Sequence, residues 1–279
     1  MSVKIVTDST VDLEPDVIRA LGIGIVPIYV RFGDRVYRDG VDISKADFYQ
    51  LLKTSTLHPA TSQPPPEDFA RYYADSLNTT DHVISIHVSS RISGTYNSAS
   101  LARNSMGQPG AIDVVDSRFN SAGLGLIVKE AALMAQQGAG APEILAEVQS
   151  SIGKVHMFGV FETMKYLARS GRVSKTIAAA ARVLNVMPLL TFHNGEIVRA
   201  GLVRTINKGV DRIHEFVRAR LPAREIIIVH SNIPEQAQEL KRRLSGLVKA
   251  EIISITELGA ALGVHGGPGV LLVGVRTEN

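Results

Sequence analysis

Short runs of apolar and β-branched residues alternate along this chain with stretches whose apolar residues recur at helical spacing. Several of the runs lack an alternation of apolar and polar positions, which is typical of parallel strands covered by helices on both faces. The pattern predicts strands at residues 3–7, 23–30, 82–88, 111–116, 155–161, 187–192, 225–231, 250–255 and 269–275.

Between the strands lie amphipathic segments, in which apolar side chains share one face of a helix. Because strands and helices alternate, we predict an α/β fold whose N-terminal part is a mostly parallel sheet flanked by helices. The clearest helical faces are formed by Phe69, Tyr72, Tyr73 and Leu77 and by Ala237, Leu240, Leu244 and Leu247.

The segment from residue 187 to residue 203 breaks this alternation, because two strand-like runs flank Asn194 and Gly195. Asn-Gly favours the tight turn of a β-hairpin. A hairpin inside a parallel pattern predicts a second domain, a C-terminal α/β domain with a mixed sheet. We place the boundary near residues 152–154, which gives an N-terminal domain over residues 1–153 and a C-terminal domain over residues 154–279.

The amino-acid composition excludes several kinds of site and partner. Hydrophobic residues make up 45% of the 279 residues and charged residues 20%, which is ordinary for a globular protein. The net charge of +3 does not favour nucleic acid as a partner. The absence of cysteine excludes a disulfide scaffold, a thiolate metal site and a cysteine nucleophile. We find no secretory signal and no apolar run long enough to cross a bilayer, so we expect a cytoplasmic protein without stable membrane insertion.

The turn after the predicted strand at residues 82–88 reads SSRISGTYNSA and places Ser93, Gly94 and Thr95 at the start of a helix. A helix N-terminus offers free N–H groups and partial positive charge to an anion. Hydroxyls can add donors there, and a glycine lets a ligand approach the backbone closely. The alternative is that Ser93 only caps the helix.

A second hydroxyl-rich segment, TSQP, contains Thr61 and Ser62 and precedes a helix that we predict to open at Pro66. This segment too could be a capping loop, although its polar side chains exceed what one cap uses. We interpret TSQP and SGTY as parts of one anion-binding site.

Three further motifs combine a structural reading with a functional one. HGGPG presents His265 on a glycine-rich loop, where we expect the imidazole to titrate near neutrality, although a lone histidine is often structural. TDST at residues 7–10 ends the first strand. Ligand sites of α/β proteins form at such strand ends, and the alternative is that Asp8 and Ser9 only form a turn or a helix cap. ARSGRVSK offers Arg169 and Arg172 to an anion, while its backbone pattern is that of a helix ended by Gly171 and a new helix capped by Ser174. The small residues of the following TIAAAARVL indicate close helix packing or room for an apolar tunnel.

TDST, TSQP, SSRISGTYNSA, VVDS, SGRVSK and HGGPG occur in the order seen in the DegV family of bacterial fatty-acid-binding proteins, which the chain resembles from residue 3 to residue 275. The resemblance implies a parallel-sheet domain and a mixed domain, with an acyl chain buried between or within them. It also implies that Thr61 and Ser93 hold the carboxylate of a long-chain fatty acid such as palmitate, with His265 near the head group. Gly266 departs from the family pattern, because many relatives carry valine or isoleucine there.

The resemblance further implies a carrier in lipid transport or fatty acid metabolism, which needs no cofactor and presents the carboxylate to a fatty acid kinase catalytic subunit. Arg172 or Arg204 would then assist head-group placement or partner docking. Hydroxyls and helix N–H groups would offset the cost of burying a carboxylate. A sixteen-carbon chain would contribute on the order of 10 kcal/mol gross, at about 0.8 kcal/mol per CH₂.

Other function classes have weaker support. A serine hydrolase or acyltransferase could use Ser93 and His265, but Arg91 stands where a nucleophile elbow requires glycine. A nucleotide site lacks its phosphate-loop motif, and Gly123 and Gly125 fit helix packing better. The histidines have no H-x-H or H-E-x-x-H metal spacing, and the basic run at residues 241–243 is typical of a solvated helix face.

Overall fold

The computed structural model describes residues 2–173 and 186–278. Its described helices are α1 (Pro15–Ala20), α2 (Lys45–Thr54), α3 (Pro66–Leu77), α4 (Thr95–Ser105), α5 (Ser121–Gln136), α6 (Ala141–Lys154), α7 (Lys165–Ser170), α8 (Ile206–Arg218), α9 (Pro234–Leu244) and α10 (Ala260–Gly266). Its strands are β1 (Val3–Asp8), β2 (Gly24–Val26), β3 (Tyr29–Phe32), β4 (Arg35–Arg38), β5 (Ala60–Ser62), β6 (His82–His87), β7 (Ile112–Asp116), β8 (Val155–Phe161), β9 (Met187–His193), β10 (Glu196–Val203), β11 (Ala223–His230), β12 (Ile253–Glu257) and β13 (Val270–Thr277).

The α/β fold and its two larger sheets agree with the prediction. The N-terminal sheet has the strand order β2-β1-β6-β7 and is parallel throughout. The C-terminal sheet has the order β10-β9-β8-β13-β11-β12 and is mixed, because only its β11–β12 pair is parallel. The predicted hairpin is β9–β10, and its Asn194 and Gly195 take the positive φ angles that its tight turn requires. The proposed division at residues 152–154 falls where α6 gives way to β8, and the two-domain organisation stays a prediction.

A third, small antiparallel sheet, with the order β4-β3-β5, was not predicted. The apolar run at residues 23–30 is two strands rather than one, and the proline at position 27, which lacks an N–H donor, lies between them. β2 joins the parallel sheet, whereas β3 pairs with β4 and β5. The prediction of a loop for TSQP is therefore wrong at Thr61 and Ser62, which lie on β5.

One helix joins the two larger sheets. Ten of the sixteen residues of α5 are buried. The seven of them with larger apolar side chains or alanine pack in one apolar cluster with Ile84 of β6, Ile227 of β11 and Leu272 of β13. A Cβ on Gly274 would lie 2.7 Å from the Cβ of Ala122, so β13 and α5 approach too closely for a larger residue. Gly123 likewise leaves no room for a Cβ, because Met157 Sδ would be 2.6 Å away. The packing interpretation of the glycine pair in α5 therefore agrees with the structure.

Helix α10 is held at its N-terminus by two buried carboxylates. Gly259 N–H donates to Asp12 Oδ1 (2.8 Å), and Ala261 N–H donates to Asp39 Oδ2 (3.1 Å). Burial raises the pKa of Asp12 to about 6 against the opposing effect of the Lys45 charge, and burial also raises the pKa of Asp39. Helix α7 ends, as predicted, at Gly171 in the left-handed conformation. Ser174 and the segment TIAAAARVL lie outside the described residues.

Among the described residues, no helix is long and apolar enough to cross a membrane. The same residues contain no cluster of three or more histidine, aspartate or glutamate side chains that could hold a metal ion.

Candidate functional site

A largely apolar cavity lies between the N-terminal loops, the C-terminal sheet and α10. It contains about 1070 Å³ of space between atoms, including the space at its opening to solvent. Its polar lining residues come from segments spread along the chain, from Thr10 to His265. The apolar lining includes Met157, Phe158, Phe161, Leu167, Leu190, Phe192, Ile197, Leu258, Leu262, Val270 and Leu272.

TSQP and SGTY meet at this cavity, although about thirty residues separate them. Thr61, Ser62, Ser93 and Gly94 all line it. Gln63 makes the contact between the motifs, since a Cβ on Gly94 would lie 2.3 Å from Gln63 Oε1. The glycine therefore leaves the space that the Gln63 side chain occupies, which is a reason for glycine that the SGTY motif alone does not reveal.

Ser93 and Thr95 form a small hydroxyl pair at the start of α4. The two oxygens are 2.8 Å apart, and Thr95 N–H also donates to Ser93 Oγ at 3.3 Å. Thr95 is fully buried and is not among the cavity-lining residues, whereas Ser93 is. Thr95 thus orients Ser93 from behind. The residue at the N-cap of α4 is Gly94, so Ser93 lies one position before the cap.

His265 meets Thr61 from the far end of the chain. Its Nε2 is 2.9 Å from Thr61 Oγ1, although 204 positions separate the two residues. The expectation of a glycine-rich loop here is wrong, because His265 lies in the last turn of α10. The helix ends one residue later, and Gly267 follows with φ at +70°.

The expected titration of His265 near neutrality is also wrong. Burial, followed by the positive charge of Arg172 and the nearby His58, lowers its pKa to about 4. The imidazole is therefore neutral at pH 7. Its Nδ1 is buried and has no hydrogen-bond partner among the described residues.

The structure separates the two arginines considered above. Arg172 is exposed and lines the cavity beside His265. Arg204 is exposed beyond the end of β10 and is not among the cavity-lining residues. The basic run at residues 241–243 lies on α9, where Arg242 pairs with Glu239 and Arg243 with Asp211.

The cavity wall also includes Thr10, Asn120 and Ser121. Sequence reasoning did not select the last two, although they follow the VVDS strand end at the carboxyl edge of the parallel sheet, which is where such sheets bind ligands. In TDST, by contrast, Asp8 has a structural role. It is buried and accepts from Thr10 Oγ1 (2.6 Å) and Val88 N–H (2.9 Å) and contacts His87 Nδ1 (3.0 Å). Although burial acts in the opposite direction, these contacts lower the pKa of Asp8.

The described residues do not form the serine–histidine pair that a serine hydrolase requires. Ser93 bonds to Thr95 and His265 bonds to Thr61, so among the described residues the histidine does not pair with the serine as a base. The unpartnered Nδ1 also lacks the carboxylate that orients a catalytic histidine.

Comparison with known proteins gives one family throughout. A family model described as an uncharacterised protein of the DegV family matches residues 2–278. A DegV domain-containing protein of Caldanaerobacter subterraneus subsp. tengcongensis is 35% identical over 95% of both chains. A DegV family protein from Thermus thermophilus, described as fatty acid binding, superposes with a TM-score of 0.91 at 33% identity over 99% of this chain and 100% of that one. DegV from Bacillus subtilis, described as a fatty acid binding protein, superposes with a TM-score of 0.88 at 29% identity over 100% of both chains. The chain therefore belongs to the DegV family.

Proposed function

We propose that this protein binds a long-chain fatty acid, such as palmitate, non-covalently in the cavity described above. The observation that carries the proposal is that the cavity has polar head-group residues, Thr61, Ser93 and His265, and a remaining lining that is mostly apolar. A fatty acid is divided in the same way, into a polar carboxylate and an apolar acyl chain. The solved DegV structures from Thermus thermophilus and Bacillus subtilis, described as fatty acid binding, support the ligand class.

The carboxylate is held by the hydroxyls of Thr61 and Ser93. A neutral His265 that donates from Nε2 to Thr61 Oγ1 leaves the hydroxyl proton of Thr61 free to donate to the ligand. Ser93, held by Thr95, supplies a second donor, with Ser62 and the Gly94 backbone beside it. Hydrogen bonds to a charged group contribute about 1.5–3 kcal/mol each, so they orient the ligand, while burial of the acyl chain supplies most of the affinity.

The protein acts as a cytoplasmic carrier that presents the carboxylate to a fatty acid kinase catalytic subunit. The exposed guanidinium of Arg172, beside the head-group residues, suits both a carboxylate and the phosphate that a kinase would add. The His265→Ala variant should then lose acyl-phosphate formation with such a kinase more than it loses bound fatty acid. Unaltered acyl-phosphate formation in this variant would exclude that role for the histidine.

Native mass spectrometry of the protein purified from a bacterial host tests the ligand class directly. We expect a bound mass that matches a long-chain fatty acid. The variant Thr61→Val with Ser93→Ala should bind palmitate more weakly by a factor of at least about 100, because two hydrogen bonds to a charged group are lost.

A matched control combines Thr54→Val with Ser105→Ala. These hydroxyls donate to helix carbonyls and are not among the cavity-lining residues. The control should bind as the wild type does. If both double variants retain palmitate equally, the proposed head-group site is wrong.

A further inference from the structure

The tip of the β9–β10 hairpin, residues 192–197, reaches beyond the part of the sheet that holds the rest of the hairpin. In the described residues, β8 pairs with β9 only where Phe158, Gly159 and Val160 face Thr191, Leu190 and Leu189. Past that point β9 pairs only with β10, and the tip has one further β-type pairing among the described residues, an isolated parallel bridge between Ile197 and Val173. Phe192 and Ile197 of this tip line the cavity. The tip is therefore a wall of the cavity that one isolated β-bridge, and no strand ladder, joins to described residues outside the hairpin.

Two contacts hold the tip against the N-terminal loops. Ser89 is fully buried, and its Oγ donates to the carbonyl oxygen of Gly195 at 2.8 Å. The rings of Phe119 and Phe192 are 5.7 Å apart. Gly195 is buried, although Asn194 and Glu196 on either side are exposed, so the turn inserts its glycine beneath the loop.

Ser89 also begins the turn that carries the head-group serine. Its carbonyl oxygen accepts from Ser93 N–H at 3.1 Å, and its own N–H donates to Phe119 O at 2.8 Å. One residue thus fixes the hairpin tip through its side chain and the Ser93 turn through its backbone. Because Ser89 bonds to both segments, movement of the tip would also affect the turn that carries Ser93.

We propose that the hairpin tip is a latch, that Ser89 holds it closed, and that the acyl chain enters and leaves beneath it. The inference rests on the proposed function, because it concerns exchange of that ligand. One neutral hydrogen bond, one ring pair and one isolated β-bridge are weak compared with a strand ladder, so the tip can open while the sheet stays formed. Opening removes the wall made by Phe192 and Ile197 and frees the turn that presents Ser93.

The first test is the Ser89→Ala variant. Both it and the wild type are loaded with radiolabelled palmitate, and release to excess albumin is timed. Loss of the hydrogen bond should accelerate release about tenfold. The matched control is Ser151→Ala, which removes another buried serine hydroxyl, one that donates to Glu147 at 2.8 Å on α6. The control should lower thermal stability similarly and leave release unchanged.

A reversible lock gives an independent test, because the chain has no cysteine of its own. A Cβ at position 195 would lie 3.7 Å from Arg118 Cβ, which is the usual separation in a disulfide. It would also lie 2.6 Å from Ser89 Oγ, so Ser89→Ala is combined with Arg118→Cys and Gly195→Cys. Comparison of the oxidised and reduced forms cancels the effect of the substitutions themselves.

We expect the oxidised protein to release palmitate at least tenfold more slowly than the reduced protein, and dithiothreitol to restore fast release. Equal rates in the two redox forms overturn the latch, as do equal rates for Ser89→Ala and the wild type. A wild-type protein that retains no palmitate overturns the proposed function, and the latch with it. The two failures are therefore distinguishable.

Discussion

At the scale of single residues, the site depends on which groups are kept neutral. His265 is buried beside Arg172, and both effects disfavour an imidazolium, so its pKa falls to about 4. A neutral histidine that donates from Nε2 to Thr61 Oγ1 leaves the hydroxyl proton of Thr61 free for the ligand proposed above. The same reasoning explains why sequence reasoning misjudged this residue, since a pKa depends on burial and on neighbours that are distant in the chain.

The lowered pKa of His265 predicts how the free energy of unfolding depends on pH. In the unfolded chain a histidine titrates near 6.5, so between about pH 4 and 6.5 the unfolded state binds the extra proton. The contribution of His265 to the free energy of unfolding is therefore fully present above pH 6.5 and is lost as the pH falls through about 4.

In His265→Gln, the dependence of unfolding free energy on pH should flatten between pH 4 and 6.5. Urea denaturation at several pH values measures this, and NMR titration of the His265 ring gives its pKa in the same range. A measured pKa near 6.5 in the unliganded protein would contradict the assignment.

At the scale of elements, the position of α5 depends on small residues. Gly274 on β13 and Gly123 on α5 both face atoms within 3 Å of where a Cβ would lie. The helix can therefore lie directly between the two larger sheets. Because Met157 of the cavity wall contacts Gly123, the packing of α5 also determines the shape of the cavity.

Gly274→Val should destabilise the protein by about 1–3 kcal/mol, because the added methyl groups overlap Ala122 in a filled core. Thermal or urea denaturation measures the change. The control is Gly153→Ala near the C-terminal end of α6, where no atom lies within 4 Å of the new Cβ. That variant should be as stable as the wild type or slightly more so, because alanine favours the helix. Equal stability of the two variants would refute the close packing of α5.

At the scale of the whole molecule, the cavity is assembled from both ends of the chain. Its lining begins at Thr10 and ends at Leu272, and α10, which carries His265, is capped by Asp12 and Asp39. A ligand in this cavity touches the parallel sheet's loops, the mixed sheet and α10 at once. Binding should therefore stabilise the fold as a unit.

Removal of the ligand should lower the melting temperature. A ligand at 100 times its dissociation constant stabilises the folded state by about 2.7 kcal/mol, and this contribution disappears on delipidation. Scanning calorimetry before and after delipidation, and after readdition of palmitate, measures the effect. Capric acid, a shorter acid with the same carboxylate, is the control and should restore less stability. Identical melting temperatures in all four samples would argue against a buried ligand.

The sequence by itself determined the local features of this protein. Strand and helix alternation predicted both larger sheets, Asn194-Gly195 predicted the hairpin turn, and Gly171 predicted the end of α7, because each depends on neighbours along the chain. The hydroxyl-rich motifs were also visible as sequence. Their meeting at one cavity was only an interpretation there.

Only the tertiary structure decided the rest. It shows that Arg172 lines the cavity and that Arg204 does not. It also shows that Thr61 lies on β5 and that His265 lies at the end of a helix beside Thr61, where we had predicted loops. These features arise from burial and from contacts between segments up to 204 residues apart, which no local pattern encodes. Physically, the sequence specified the donors, and the fold brought them to one buried place.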